Sequence, residues 1–277
     1  MSLSSQGGFP GSEPSGQLGI GSHSLEVHWS GPSPHLTPTL VFLHEGLGSA
    51  GLWRDFPRRL AEATGCAALI YSRAGYGGSS PVALPRPTRY MHDEALSVLP
   101  ELLSRLRVEK HVLIGHSDGG SIALINAGGT PHPGLLGVIT EAAHVFVEDL
   151  SVASIREARE AYERTDLREK LARHHRDVDG AFRGWNDVWL SPDFRTWNIE
   201  DSLPHITVPV LALQGEDDQY GTPAQVEAIV RGVSGPAQAL MLPGCAHTPH
   251  REQPERTFEA MRMFIGRVTA GVREATG

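Results

Sequence analysis

The chain is predicted to fold as an α/β domain with a doubly wound, mostly parallel central sheet, and three features of the sequence lead there. Short apolar runs alternate with helical patterns from residue 24 to residue 270. Several of those runs are apolar at every position, as strands covered on both faces are. One long stretch, 145–205, breaks the alternation with charge-dense helical patterning and no strand candidate, which marks an insertion.

Taken in order, residues 1–22 are rich in Gly, Ser and Pro, with few large apolar side chains to offset the entropy of ordering them, and a disordered tail is expected. Residues 24–29 alternate in polarity like a half-buried strand, whereas Thr39-Leu-Val-Phe-Leu43 is continuously apolar. A helix over 52–64 ends at Gly65 and gives way to a second apolar run, 66–71. A helix over 89–106 leads into a strand at 111–114. The rhythm continues through a helix at 122–127, a strand at 135–140, a strand at 208–214, a helix at 223–231, a strand at 237–242 and a closing helix at 253–270.

The insertion repeats Ile155, Ala158 and Tyr162 at helical spacing, and Leu167 with Leu171 likewise. Glu160 with Arg164, and Glu169 with Arg173, are i,i+4 pairs of favourable polarity. Three of the five tryptophans, Trp185, Trp189 and Trp197, lie here and need an apolar surface to cover. The expected organisation is therefore one core domain, 23–144 with 206–277, and a helical cap over 145–205.

Composition excludes several classes. A formal charge of −8 and the lack of long Lys/Arg blocks would repel a phosphate backbone, so no nucleic-acid partner is expected. No apolar run approaches the roughly 18 residues that cross a bilayer, and no charged and apolar leader pattern opens the chain. The two cysteines, Cys66 and Cys245, stand far apart and suit reduced thiols. A cytoplasmic protein without a membrane partner is expected, as a monomer or homodimer.

Gly115-His-Ser-Asp-Gly119 is a G-x-S-x-G pentapeptide set between the strand at 111–114 and a helix. Small residues two positions either side let the chain turn sharply and project the Ser117 hydroxyl over a helix N-terminus. A serine hydroxyl is a poor nucleophile near neutral pH, so it needs a base, and the base needs a carboxylate to hold it in one tautomer. Two later strands end in suitable groups. One is followed by Gly215-Glu-Asp-Asp218 and the next by Pro243-Gly-Cys-Ala-His247.

With these motifs in place, the chain resembles the α/β-hydrolase superfamily over residues 24–270, in its form with a helical cap. The resemblance implies a catalytic triad of Ser117, Asp218 and His247, since members commonly place the acid three residues after the glycine ending its strand. Asp217 is the fallback acid. It also implies an oxyanion hole formed by the backbone N–H of Asp118 and a donor from His44-Glu-Gly-Leu-Gly-Ser49, aligned at Gly46, with Glu45 the alternative. Glu45 departs from the family pattern, where glycine is usual. A carboxylate beside an oxyanion would oppose catalysis unless it points away or pairs, with Arg73 or His116 as partners in reach. Arg73-Ala-Gly-Tyr-Gly-Gly-Ser79 resembles the superfamily's glycine-bearing turn beneath the site.

Two competing readings fall away. Gly46-Leu-Gly-Ser-Ala-Gly51 is a formal G-x-G-x-x-G, but Tyr71-Ser-Arg73 stands where a dinucleotide site needs an acidic residue. His247 and His250 lack further ligands at familiar spacing, so neither a metal nor any other cofactor is expected. What remains is a serine hydrolase for a small-molecule substrate with an acyl carbonyl, a small carboxylic ester by preference. Carbon-carbon bond hydrolysis of ring-fission products, thioester or lactone cleavage, and a hydrolase-like ligand receptor are the alternatives. Because His247 must be neutral to act as base, activity is expected to rise toward mildly alkaline pH. Trp185, Trp189 and Tyr162 are candidates for the substrate pocket, against a reading in which they form the cap's own core.

Overall fold

A computed structural model describes residues 15–129 and 133–273. Eight strands form one sheet: β1 (Ser15–Ile20), β2 (His23–Ser30), β3 (Thr39–Leu43), β4 (Ala67–Tyr71), β5 (His111–His116), β6 (Leu135–Glu141), β7 (Val210–Gly215) and β8 (Ala237–Leu242), in the spatial order β1-β2-β4-β3-β5-β6-β7-β8. β1 with β2 and β2 with β4 run antiparallel, and every later pair is parallel. The continuously apolar runs are the central strands. Every residue of β3, β4 and β5 is buried, because helices cover the sheet on both faces.

One expectation needs correction. Residues 15–20, assigned to a disordered tail, form β1 and pair along their whole length with β2. Gly21, at φ +53°, closes the hairpin, and backbone hydrogen bonding to an ordered neighbour holds a segment whose own side chains bury little. The rest of that tail, 1–14, lies outside the described residues.

The first expected helix begins as a 3-10 turn, Ala50–Trp53, and becomes α1 (Phe56–Thr64) only after Asp55, with Pro57 in its first turn. The helix expected over 89–106 is α2 (Tyr90–Asp93), a π turn (Glu94–Val98) and α3 (Leu99–Arg105) in succession. Pro100 has no N–H to return to the Leu96 carbonyl, and the chain widens at that point. α4 (Asp118–Gly129) is apolar all round and buried from Asp118 to Ala127, packed among the sheet, α2 and the turn Glu200–His205.

Between β6 and β7 lie α5 (Asp149–Arg164), α6 (Leu167–Leu171), α7 (Val178–Trp189) and two 3-10 turns, with a lone bridge between Phe146 and Asn198 as the extended pairing. The core side of this segment is a ladder of aromatic rings. Trp189, Phe194 and Trp197 pack with centroids 4.8 to 6.2 Å apart. α8 (Ala224–Gly232), α9 (Pro249–Glu252) and α10 (Pro254–Arg273) complete the layers. Both cysteines are buried, and among the described residues neither is in a disulfide. Among the described residues no helix is long and apolar enough to cross a membrane.

Candidate active site

The polar residues singled out above gather at the C-terminal ends of the parallel strands, where open α/β sheets leave their crevice. Ser117 follows β5 directly and takes a left-handed conformation, φ +52°. A side chain there is strained, and the surroundings over-determine it: the Ser117 N–H donates to the Glu141 carbonyl at 2.8 Å, and its own carbonyl accepts from Gly120 and Ser121. A Cβ on Gly115 would run into the Gly119 carbonyl, and one on Gly119 into the Leu43 carbonyl. The two glycines are therefore what allows the turn to sit this close to the neighbouring strand.

His247, after β8, donates from Nδ1 to Asp218 Oδ1 at 2.8 Å, and the same oxygen accepts the Tyr220 N–H at 2.8 Å. Asp218 is buried and Asp217 is exposed, so the acid facing the histidine is Asp218. Burial alone would raise its pKa, but the His247 hydrogen bond and charge hold it below the usual carboxylate range. With Nδ1–H committed to Asp218, Nε2 of His247 is left as the acceptor. Among the described residues the Ser117 hydroxyl and this Nε2 make no hydrogen bond. His116, the residue before Ser117, packs on the base: its ring lies 5.1 Å from that of His247 and its Nε2 donates to the His247 backbone carbonyl at 2.7 Å.

The unexpected Glu45 has a partner. Its carboxylate stands 3.5 Å from Nδ1 of the buried His116. Burial opposes charging of either group, yet each holds the other ionised: His116 is carried up to about 9, and Glu45 falls far below the usual carboxylate range. Arg73, the other suggested partner, binds the Glu45 backbone carbonyl instead, from Nη2 at 2.8 Å. Asp118, expected to contribute its N–H, is the first residue of α4, where that N–H has no acceptor within the helix. Its side chain is buried under the site, accepting from Tyr90 Oη at 2.5 Å.

The helical segment reaches this loop at two points. The indole of Trp185 lies directly against Gly46, so that a Cβ at position 46 would collide with it. His175 donates from Nε2 to the Leu47 carbonyl at 2.9 Å and accepts the Gly77 N–H on Nδ1 at 3.1 Å. Burial keeps it neutral by pushing its pKa down, as both bonds require. Trp189 packs edge-on to His144, 5.1 Å away, and its Nε1 donates to Tyr90 Oη at 3.1 Å, which puts it in the base of the segment. Tyr162 stands apart from the site. Its ring stacks on Phe182 at 3.7 Å and its hydroxyl donates to Asp179, which also pairs with Arg168.

Some residues escaped the sequence reading. Glu141, the last residue of β6, accepts from both N–H and Nδ1 of His250, at 3.0 and 2.9 Å, forming a second buried histidine-carboxylate pair behind His116. His144 lies 6.2 Å from His247, and burial together with the His247 charge lowers its pKa to about 4. A carboxylate closing an otherwise apolar parallel strand was the available signal for Glu141. Among the described residues no group of three or more His, Cys, Asp or Glu is placed to hold a metal ion.

A mostly parallel sheet with this strand order, a strained serine after its fifth strand and a histidine-carboxylate pair from two later strand ends fit an α/β enzyme of the hydrolase class. The chain belongs to the alpha/beta hydrolase family, whose model matches residues 40–260. It is 27% identical over 259 residues to a 2-succinyl-6-hydroxy-2,4-cyclohexadiene-1-carboxylate synthase of Enterobacter sp. strain 638, an alignment covering 82% of this chain and 92% of that one. Among solved structures it is similar to a thermophilic esterase from Thermogutta terrifontis, with TM-score 0.68 and 20% identity over 92% of this chain and 99% of that one. A bacterial membrane phospholipase A superposes with TM-score 0.74 and 19% identity over 92% of this chain and 86% of the other. At such identities the two structures speak for the fold alone.

Proposed function

We propose that the protein is a serine hydrolase that cleaves a small carboxylic ester through an acyl-enzyme. His247 takes the proton of Ser117, Ser117 attacks the carbonyl carbon, and Asp218 steadies the imidazolium that forms. The backbone N–H groups of Gly46 and Asp118 receive the oxyanion. The imidazolium then protonates the leaving alcohol, and water, deprotonated by His247 in turn, releases the acid. The single observation that carries this reading is the 2.8 Å bond from Nδ1 of His247 to Asp218, which leaves Nε2 free to take the proton of the serine that follows β5.

The helices over 145–205 are read as a cap, with Trp185 forming the wall of the acyl pocket beside Gly46. Trp189 and Tyr162 are assigned to the cap's own packing. A second reading, suggested by the likeness to a synthase over nearly its full length, is that the same serine and histidine serve proton abstraction or carbon-carbon bond chemistry.

A fluorophosphonate probe should label the wild-type chain on Ser117, and p-nitrophenyl esters should be turned over. Ser117→Ala is expected to abolish labelling and lower ester turnover by on the order of a millionfold, by analogy with triad deletions. Labelling without ester turnover would move the assignment to the second reading; undiminished turnover in Ser117→Ala would remove the nucleophile altogether.

A further inference from the structure

The Glu45 carbonyl and the Gly46 N–H belong to one peptide plane, and in a trans peptide they point in opposite directions. Whatever grips that carbonyl oxygen therefore aims that N–H. Three donors grip it: Nδ1 of His44 at 2.8 Å, Nη2 of Arg73 at 2.8 Å and the Gly48 N–H at 3.0 Å. His44 is fully buried, and burial with the Arg73 charge drives its pKa well down, so Nδ1–H donates while Nε2 accepts the Arg73 N–H at 3.0 Å.

Arg73 is 1% exposed and touches the second half of the arrangement as well. Its Nη1 lies 3.8 Å from Oδ2 of Asp118, the residue whose N–H is the other oxyanion donor, and its guanidinium stacks on the Tyr76 ring at 5.0 Å. The contact with Asp118 is too long for a hydrogen bond: Nη1 of Arg73 has no hydrogen-bond partner and Oδ2 of Asp118 accepts from Tyr90, while the bond from Arg73 to the Glu45 carbonyl is short.

We propose that Arg73 is a positioning residue that holds both oxyanion donors in register and polarises the Gly46 N–H through the Glu45 carbonyl. This inference rests on the serine hydrolase reading above. Withdrawing electron density from the carbonyl oxygen makes the N–H on the same peptide a stronger donor, and the effect is greatest when the acceptor carries full negative charge. The contribution therefore belongs to the transition state, and ground-state binding is little changed.

The test uses Arg73→Lys, which keeps the charge but loses the fork, and Arg73→Gln, which loses the charge, in the full chain. For each, kcat and KM are measured on a p-nitrophenyl ester, with the inhibition constant of a trifluoromethyl ketone that forms a tetrahedral adduct on the serine. Arg73→Lys is expected to lower kcat by roughly ten- to a hundredfold with KM within about twofold, less than the loss of a whole donor. Inhibitor affinity should fall in step with kcat/KM across both variants. An Arg73→Lys chain with kcat within about twofold of wild type, or a loss of kcat with ketone affinity unchanged, overturns the proposal. Ser117→Ala measured alongside separates the two levels. Activity retained there removes the hydrolase reading, whereas an inactive Ser117→Ala beside an unaffected Arg73→Lys removes only this inference.

Discussion

Replacing Glu45 by Gln removes the anion that keeps His116 charged inside the protein. His116 stands at about 9 in the fold against an ordinary 6.5 for histidine. A group whose pKa is raised by folding contributes its stability below the unfolded value and loses it as the pH climbs through the folded one. Linkage over that interval gives about 3 kcal/mol at pH 6, about 2 kcal/mol at pH 7.5 and almost nothing at pH 9.5. Glutamine cannot hold the charge as the carboxylate does, and although Glu141 and the His247 carbonyl still favour it, burial then favours the neutral ring, so the variant should lose most of this contribution. Urea unfolding of wild type and Glu45→Gln at those three pH values should therefore give curves that are far apart in mild acid and converge in alkali. The same charge can be followed directly from the His116 imidazole resonance, whose midpoint should drop below neutrality in the variant. A stability difference that stays constant from pH 6 to pH 9.5 would refute the argument, because it would mean that Glu45 acts through packing and not through a charged histidine.

Two further outcomes follow from packing and burial. Gly46→Ala should lower esterase turnover by driving Trp185 off the loop, and adding Trp185→Ala in the same chain should restore part of it; initial rates of the two variants and of Trp185→Ala alone decide this. Glu141→Gln should cost about 3 kcal/mol near neutral pH by breaking the buried pair with His250. Although burial would raise it, the His250 charge holds the Glu141 carboxyl below its ordinary value of 4.5, so this loss should fade only as the pH falls below that value toward the lowered folded one, read from urea midpoints in a series descending from pH 7 to below the usual carboxylate range.

The strands that build the floor of the site were legible because burial on both faces leaves a local mark: an unbroken apolar run such as Thr39-Leu-Val-Phe-Leu43 has one comfortable environment. The serine turn was legible for a similar reason, since the glycines that permit it are its near neighbours. Asp218 and Asp217 were harder to separate, being alike in sequence, and it is the backbone turn after β7 that buries one and exposes the other. The pairs Glu45 with His116 and Glu141 with His250 join residues from different strand ends, and no local pattern records which ends become neighbours. β1 was missed because its composition describes a flexible chain, while its order comes from the strand beside it.

Trp185 and His175 both rest on the loop after β3, the indole on Gly46 and the imidazole on the Leu47 carbonyl. On the proposed reading, an outward swing of residues 175–189 wide enough to admit a bulky guest would strip these two props from the strip of backbone assigned to the developing negative charge. On that reading access and readiness are mechanically opposed, and the same two contacts that ready the loop also bar the way to it.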